Sequence, residues 1–142
     1  MSGARGHRSL PHTADLRLQA WAPTRDECIA EAVVALVESF ADTSARPAEC
    51  STTVAIPAEG DQDQDVLLTA LNETIYLLDT QGAVPVTVQP ERTSDARLQL
   101  RFGLVALNHV MLTGPAPKAV TMHRLRFGRD DTGWSCEVTI DV

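Results

Sequence analysis

Between Leu16 and Trp21 apolar and polar residues alternate. Leu16, Leu18 and Ala20 fall on one side, Arg17, Gln19 and Trp21 on the other. A period of two belongs to a strand with one buried face, so residues 16–21 are predicted as a strand. The period then lengthens. Ile29, Val33, Leu36, Val37 and Phe40 recur at helical spacing, which predicts an amphipathic helix over 25–41. Thr24 and Glu27 form a capping box ahead of it, each side chain satisfying an N–H that the first turn leaves open. Leu67, Leu71, Ile75 and Leu78 predict a second helix over 64–80, with Asp63 or Asp65 as N-cap and a stop near Gly82.

The remaining pattern is that of strands. Residues 50–56, "CSTTVAI", are β-branched. Val84, Val86 and Val88 alternate over 84–89, and Leu98, Leu100 and Phe102 alternate with Arg97, Gln99 and Arg101 over 97–102. Residues 103–117 show no regular period. A strand over 118–127 has an apolar phase that slips between Met122 and Leu125, the mark of a bulge. "RDDTG" is a hairpin turn. The last strand, 134–141, sets Trp134, Cys136, Val138 and Ile140 against Ser135, Glu137, Thr139 and Asp141. Two helices with one apolar stripe each can cover one face of a mostly antiparallel sheet, so the predicted fold is an α+β two-layer sandwich. There is no internal repeat and no dividing linker. Residues 1–142 are expected to form one domain, with 1–8 as a disordered tail.

Composition narrows the functional classes. Of the 142 residues, 44% are hydrophobic, a globular value. No apolar run approaches the ~20 residues of a membrane helix, and the polar stretch "MSGARGHRS" is not expected to act as a secretory signal. Cys28, Cys50 and Cys136 are odd in number and distant in sequence, so they are expected as buried or half-buried apolar residues rather than a disulfide framework or zinc knuckle. A cytoplasmic protein is expected. Asn72-Glu73-Thr74 fits a glycosylation pattern but falls inside the second helix, and it is discounted. The net charge of −7 disfavours a stand-alone nucleic-acid binder and suits cations or a basic protein face.

No Walker loop, G-x-S-x-G, H-E-x-x-H or dinucleotide fingerprint is present. Four features remain. His12 and Asp15 in "PHTADLRL" make either a local turn or a metal or acid–base site at the mouth of a strand. Asp141 and the terminal carboxylate of Val142 are either solvated charge or, if the first and last strands are neighbours, partners of Asp15. Converging carboxylates repel unless a cation lies between them; oxygen donors suit calcium or magnesium, and calcium tolerates an irregular cage better. Lys118 is read as a solvated strand entry or a functional cation, and His123 as a satisfied, half-buried histidine or a site residue. Asn72 and Glu73 read as helix surface.

Taken in order, "HTAD", "LNETIYLLD", "KAVTMH" and the terminal "WSCEVTIDV" resemble the archease family, over about residues 9–142. The resemblance implies a small α+β domain of the strand-helix-strand-strand kind. It implies an accessory role: promoting guanylylation and multiple turnover of the GTP-dependent RNA ligase of tRNA splicing and RNA repair, with RNA met only through the ligase. It also implies a divalent-metal site, most simply for calcium, at Asp15, Asp141 and Val142, and roles in partner activation for Lys118 and His12. The competing expectations are a stand-alone metal-dependent hydrolase using Asp15, Asp141 and His12, and a chaperone-like binding module. The "TGPAP" stretch before Lys118 departs from the more acidic sequence usual in the family.

Overall fold

The structure is a computed structural model that describes residues 3–10, 15–44, 46–56, 62–93 and 97–142. His12 therefore lies outside the described residues. In chain order the elements are β1 (Gly6–Leu10), β2 (Leu16–Ala22), α1 (Arg25–Glu38), β3 (Ala41–Asp42), β4 (Cys50–Ala55) and α2 (Asp63–Gln81). There follow β5 (Ala83–Arg92), β6 (Leu98–Ala106), a short 3-10 turn (Leu107–His109), β7 (Met111–Leu112), β8 (Ala119–Asp130) and β9 (Gly133–Asp141). The strands form three sheets, β1-β2-β9-β8, β4-β6-β5 and the small pair β3-β7. Every described strand pair is antiparallel. α1 packs on both β2 and β5, and α2 on both β8 and β5, so one helical layer covers both larger sheets. The α+β two-layer arrangement read from the sequence is the one observed.

Alternation decides what is inside. Leu18, Ala20 and Ala22 of β2 and Cys136, Val138 and Ile140 of β9 turn toward the helices. They meet Ile29, Val33 and Leu36 of α1 and Leu67 and Leu71 of α2 in one core. Leu98, Leu100 and Phe102 of β6 join from the second sheet. The alternate residues Arg8, Gln19, Trp21 and Glu137 take the opposite, open face of the first sheet.

Local chemistry sets the helix ends. The Thr24 hydroxyl oxygen accepts from the Glu27 N–H at 3.2 Å, as a capping box requires. The reciprocal bond differs from expectation: the Glu27 carboxylate takes the Thr24 hydroxyl at 2.9 Å instead of a backbone N–H. α1 ends at Glu38 because Ala41 and Asp42 pair with β7. α2 is capped by Gln62 with no side-chain bond, not by Asp63 or Asp65. Asp63 instead accepts from the Arg25 guanidinium at 2.9 Å, and both aspartates sit in the first turn, where negative charge favours the helix dipole. Gly82 ends α2 in the left-handed region at φ 60°, which glycine reaches without steric cost.

Four expectations are corrected. Residues Gly6–Arg8, expected within a disordered tail, belong to β1 and pair with β2. Two contacts anchor them: Arg5 meets Glu27 and Glu31 of α1, and His7 places Nδ1 2.7 Å from Glu31 and Nε2 2.6 Å from Glu38. Strand β6 runs on through Gly103 to Ala106. At Gly103 a Cβ would meet the Thr87 hydroxyl at 2.3 Å and the Ala48 Cβ at 2.8 Å, so the glycine marks a close approach and not a strand end. Cys50 is exposed, whereas Cys28 and Cys136 are buried as expected. His123 is exposed, not half-buried.

Candidate functional site

The bulge read from the phase slip in β8 is present. Register against β9 shifts between Thr121, opposite Thr139, and Arg126, opposite Glu137. Four residues of β8 therefore span one position of β9, and Arg124 adopts a left-handed φ of 58°. The protruding Met122-His123-Arg124 is tied back at two points. The His123 N–H donates to the Thr121 hydroxyl at 3.0 Å, and the Thr139 hydroxyl donates to the His123 carbonyl at 3.2 Å.

The first and last strands are neighbours, as the sequence reading of the metal site required. β2 pairs with β9 from Ala22 opposite Trp134 to Leu16 opposite Ile140. Asp15 and Asp141 lie one position further along. Leu16 packs against the core and Ile140 is buried, so Asp141 takes the open-face phase of β9, while Asp15 immediately precedes β2 at the same end. Asp15 is half-buried and Asp141 exposed. Val142 is half-buried and packs against the core, which fixes the chain end beside Asp141.

Lys118 reaches the same end from β8. Its N–H donates to the Asp141 carbonyl at 2.7 Å, while its side chain is exposed. Asp141, Val142 and Lys118 thus meet at the end of the sheet where Asp15 leads into β2, and His123 stands further along in the bulge. Among the described residues no three His, Cys, Asp or Glu side chains gather. This end offers two aspartates and main-chain oxygens. That donor set is all hard oxygen, which fits calcium or magnesium and does not fit a softer metal that takes nitrogen or sulfur.

Behind it lies an ion pair that sequence reading missed. Arg17, only 9% exposed, donates to the Thr139 hydroxyl at 2.9 Å and to the Glu137 carboxylate at 2.5 Å. Gln19 donates to the other oxygen of Glu137 at 2.7 Å. These two donors hold the Glu137 carboxyl below its usual range, against the opposing effect of burial. The signal was visible as the outward set Arg17, Gln19 opposite Glu137, Thr139; only the register made it a pair.

Comparison with known proteins agrees with this architecture. Residues 7–142 match the family model described as the Archease protein family (MTH1598/TM1083). The "Probable protein archease" of Mycobacterium tuberculosis is 45% identical over 137 residues, covering 96% of this chain and 75% of that protein. The solution structure of Methanobacterium thermoautotrophicum protein 1598 superposes with a TM-score of 0.75 at 24% identity, covering 96% of this chain and 99% of that one. The Thermotoga maritima crystal structure, described as an archease and possible chaperone, gives 0.67 at 22% identity, covering 95% and 96%. With a family match spanning nearly its whole length, this chain belongs to the archease family.

Proposed function

We propose that the protein is an accessory factor of a GTP-dependent RNA ligase, acting through the end of the sheet where Asp15, Asp141, Val142 and Lys118 meet. The single observation that supports this reading is the β2–β9 register, whose last pair, Leu16 opposite Ile140, leaves Asp15 and Asp141 at the same end of the sheet. Family membership and the description of the Thermotoga protein as a possible chaperone support an accessory role over a catalytic one. Asp15, Asp141 and the oxygens of Val142 would hold a divalent cation, calcium fitting an irregular oxygen site best. Such an ion would supply positive charge beside a phosphoryl group undergoing transfer.

The chain's own residues have separate tasks. The aspartates present negative charge at the rim, where a partner's cationic or metal-lined site can meet it. Lys118, held by its backbone bond to Asp141, presents an ammonium beside them. The test is covalent ligase–GMP formation and turnover with the cognate ligase, GTP and a nicked tRNA. Both should rise when this protein is added, and Lys118→Ala should remove most of the rise without altering folding. No effect of the wild-type protein would overturn the reading, and hydrolysis of phosphoesters by the protein alone would replace it with an enzyme.

A further inference from the structure

The opposite end of the same open face has a different character. There β1, β2, β9 and β8 floor a depression of about 660 Å³ whose lining includes Arg8, Trp21, Arg126, Arg129, Asp130 and Glu137, with Gln64 of α2 beside them. Its arginines stand apart from others in the chain. Arg5 pairs with Glu27 and Glu31, Arg17 with Glu137, Arg25 with Asp63, Arg92 with Asp26 and Arg101 with Glu91. Arg8, Arg126 and Arg129 make no ion pair among the described residues, although the chain has 19 acidic residues against 12 Lys and Arg. Of the two carboxylates that line it, Glu137 is engaged by Arg17 and Gln19, and Asp130 accepts from the Thr132 N–H and hydroxyl at 2.8 and 2.6 Å. Three guanidinium groups without an ion pair thus share one hollow with two carboxylates that already hold other donors.

The aromatic ring in the hollow is held in place. Gly6 lies opposite Trp21 in the β1–β2 register, and a Cβ there would come within 2.5 Å of the indole. Only glycine lets the ring lie over the β1 backbone. Arg8 donates through Nε to the Gln19 side chain at 2.7 Å, and its Cζ stands 5.3 Å from the Trp21 ring centroid. That bond and the cation–π contact fix the guanidinium in the lining of the hollow. A fixed ring, forked cations at several points and neutral donors from Gln19 and Ser135 are what an unpaired base and its flanking phosphates require.

We propose that this hollow binds single-stranded nucleic acid directly, one base stacking on Trp21 and neighbouring phosphates meeting Arg8, Arg126 and Arg129. The net charge of −7 does not oppose this, because much of the negative charge sits on the helices, with Asp26, Glu27, Glu31 and Glu38 in α1 and Asp63, Asp65, Glu73 and Asp79 in α2. The chain would then meet nucleic acid itself and not solely through a partner. The inference rests on the hollow alone and is independent of the ligase reading.

The test uses the protein by itself. Fluorescein-labelled oligouridine and oligothymidine of about 12 nucleotides, with oligoglutamate of similar length as a third probe, are titrated by fluorescence anisotropy. Binding to a nucleic acid is expected to weaken about 20-fold between about 50 and about 200 mM salt if three phosphates are neutralised. Arg126→Gln and Arg129→Gln, both exposed and safe for folding, should each reduce affinity several-fold, and Trp21→Ala should reduce it about tenfold or more. Arg101→Gln, which removes an arginine from the other sheet, should change it less than twofold. Tighter binding of oligouridine than of oligothymidine would identify RNA, and the converse or equal binding a polymer read by base and phosphate alone. No binding of either nucleic acid at low salt, affinity unchanged in the Arg126 and Arg129 variants, or equal binding of oligoglutamate would overturn the proposal.

Discussion

The open face of the first sheet ends in two unlike surfaces. At one end Asp15 and Asp141 flank the last pair of β2 and β9, Leu16 opposite Ile140, and Lys118 bonds to the Asp141 carbonyl. At the other, Arg8, Arg126 and Arg129, none of them in an ion pair among the described residues, line the hollow around Trp21 together with Glu137 and Asp130. Both ends are built by the same strands with the same alternation. Alternation only selects the face; register selects the neighbours, and neighbours decide whether charges oppose or accumulate. Between the two ends the Arg17–Glu137 pair, with Gln19 and Thr139, satisfies its own charges and keeps the ends distinct.

Breaking that divider should have the largest effect. Arg17→Met leaves Glu137 without its main donor in a part-buried position, which should cost about 3 kcal/mol in urea unfolding at neutral pH. The pH dependence follows from the sign of the shift. Glu137 has a depressed folded value, so its contribution is present above the unfolded carboxyl value of about 4.3 and is lost as pH falls through the lower folded one. The variant should lose less stability than the wild type over that acid range.

A smaller change sharpens the basic end alone. Gly6→Val forces a side chain into the indole and should cost about 2 kcal/mol in the same unfolding experiment, while displacing Trp21. Calcium binding at the far end should be unaffected, since β1 does not border Asp141.

The smallest expected effect concerns the underside of β1. Burial lowers the His7 pKa, but the Glu38 and Glu31 carboxylates outweigh it and raise the value above 6.5. Protonated His7 therefore stabilises the fold fully below about 6.5, and this contribution is lost as pH rises through the higher folded value. Arg5, Glu27, Glu31 and Glu38 are the charged groups around it, and Arg5 is charged throughout. His7→Gln should lower stability by about 1 kcal/mol at pH 6 and by less at pH 9, measured by chemical denaturation.

These two ends also differ in how far the sequence disclosed them. Helix α1, helix α2 with its Gly82 stop, the faces of β9 and the bulge in β8 were all legible, because each rests on local period or local chemistry. Strand β1 was not. It turns His7 inward against glutamates and Arg8 outward, so no apolar alternation announces it. With β1 hidden, Arg8 read as part of a tail and the hollow around Trp21 had no visible edge. The acidic end was easier, because its residues fall in motifs of the archease family. Even there the opposition of Asp15 and Asp141 depended on pairing between strands more than a hundred residues apart, which no local pattern encodes. Strand β6 runs past the predicted end at 102 for a related reason: Gly103 sits against Ala48 and Thr87, which are distant in sequence.

The central claim, that the acidic end is a cation site distinct from the rest of the face, is tested most directly by calorimetric titration of metal-free protein with calcium. The wild type should bind one ion. Asp15→Asn and Asp141→Asn should each weaken binding about tenfold or more, since each removes a charged oxygen donor. Arg126→Gln, at the other end, should bind as the wild type does. Calcium binding that survives in both aspartate variants, or that is absent from the wild type while the fold is intact, would contradict the account.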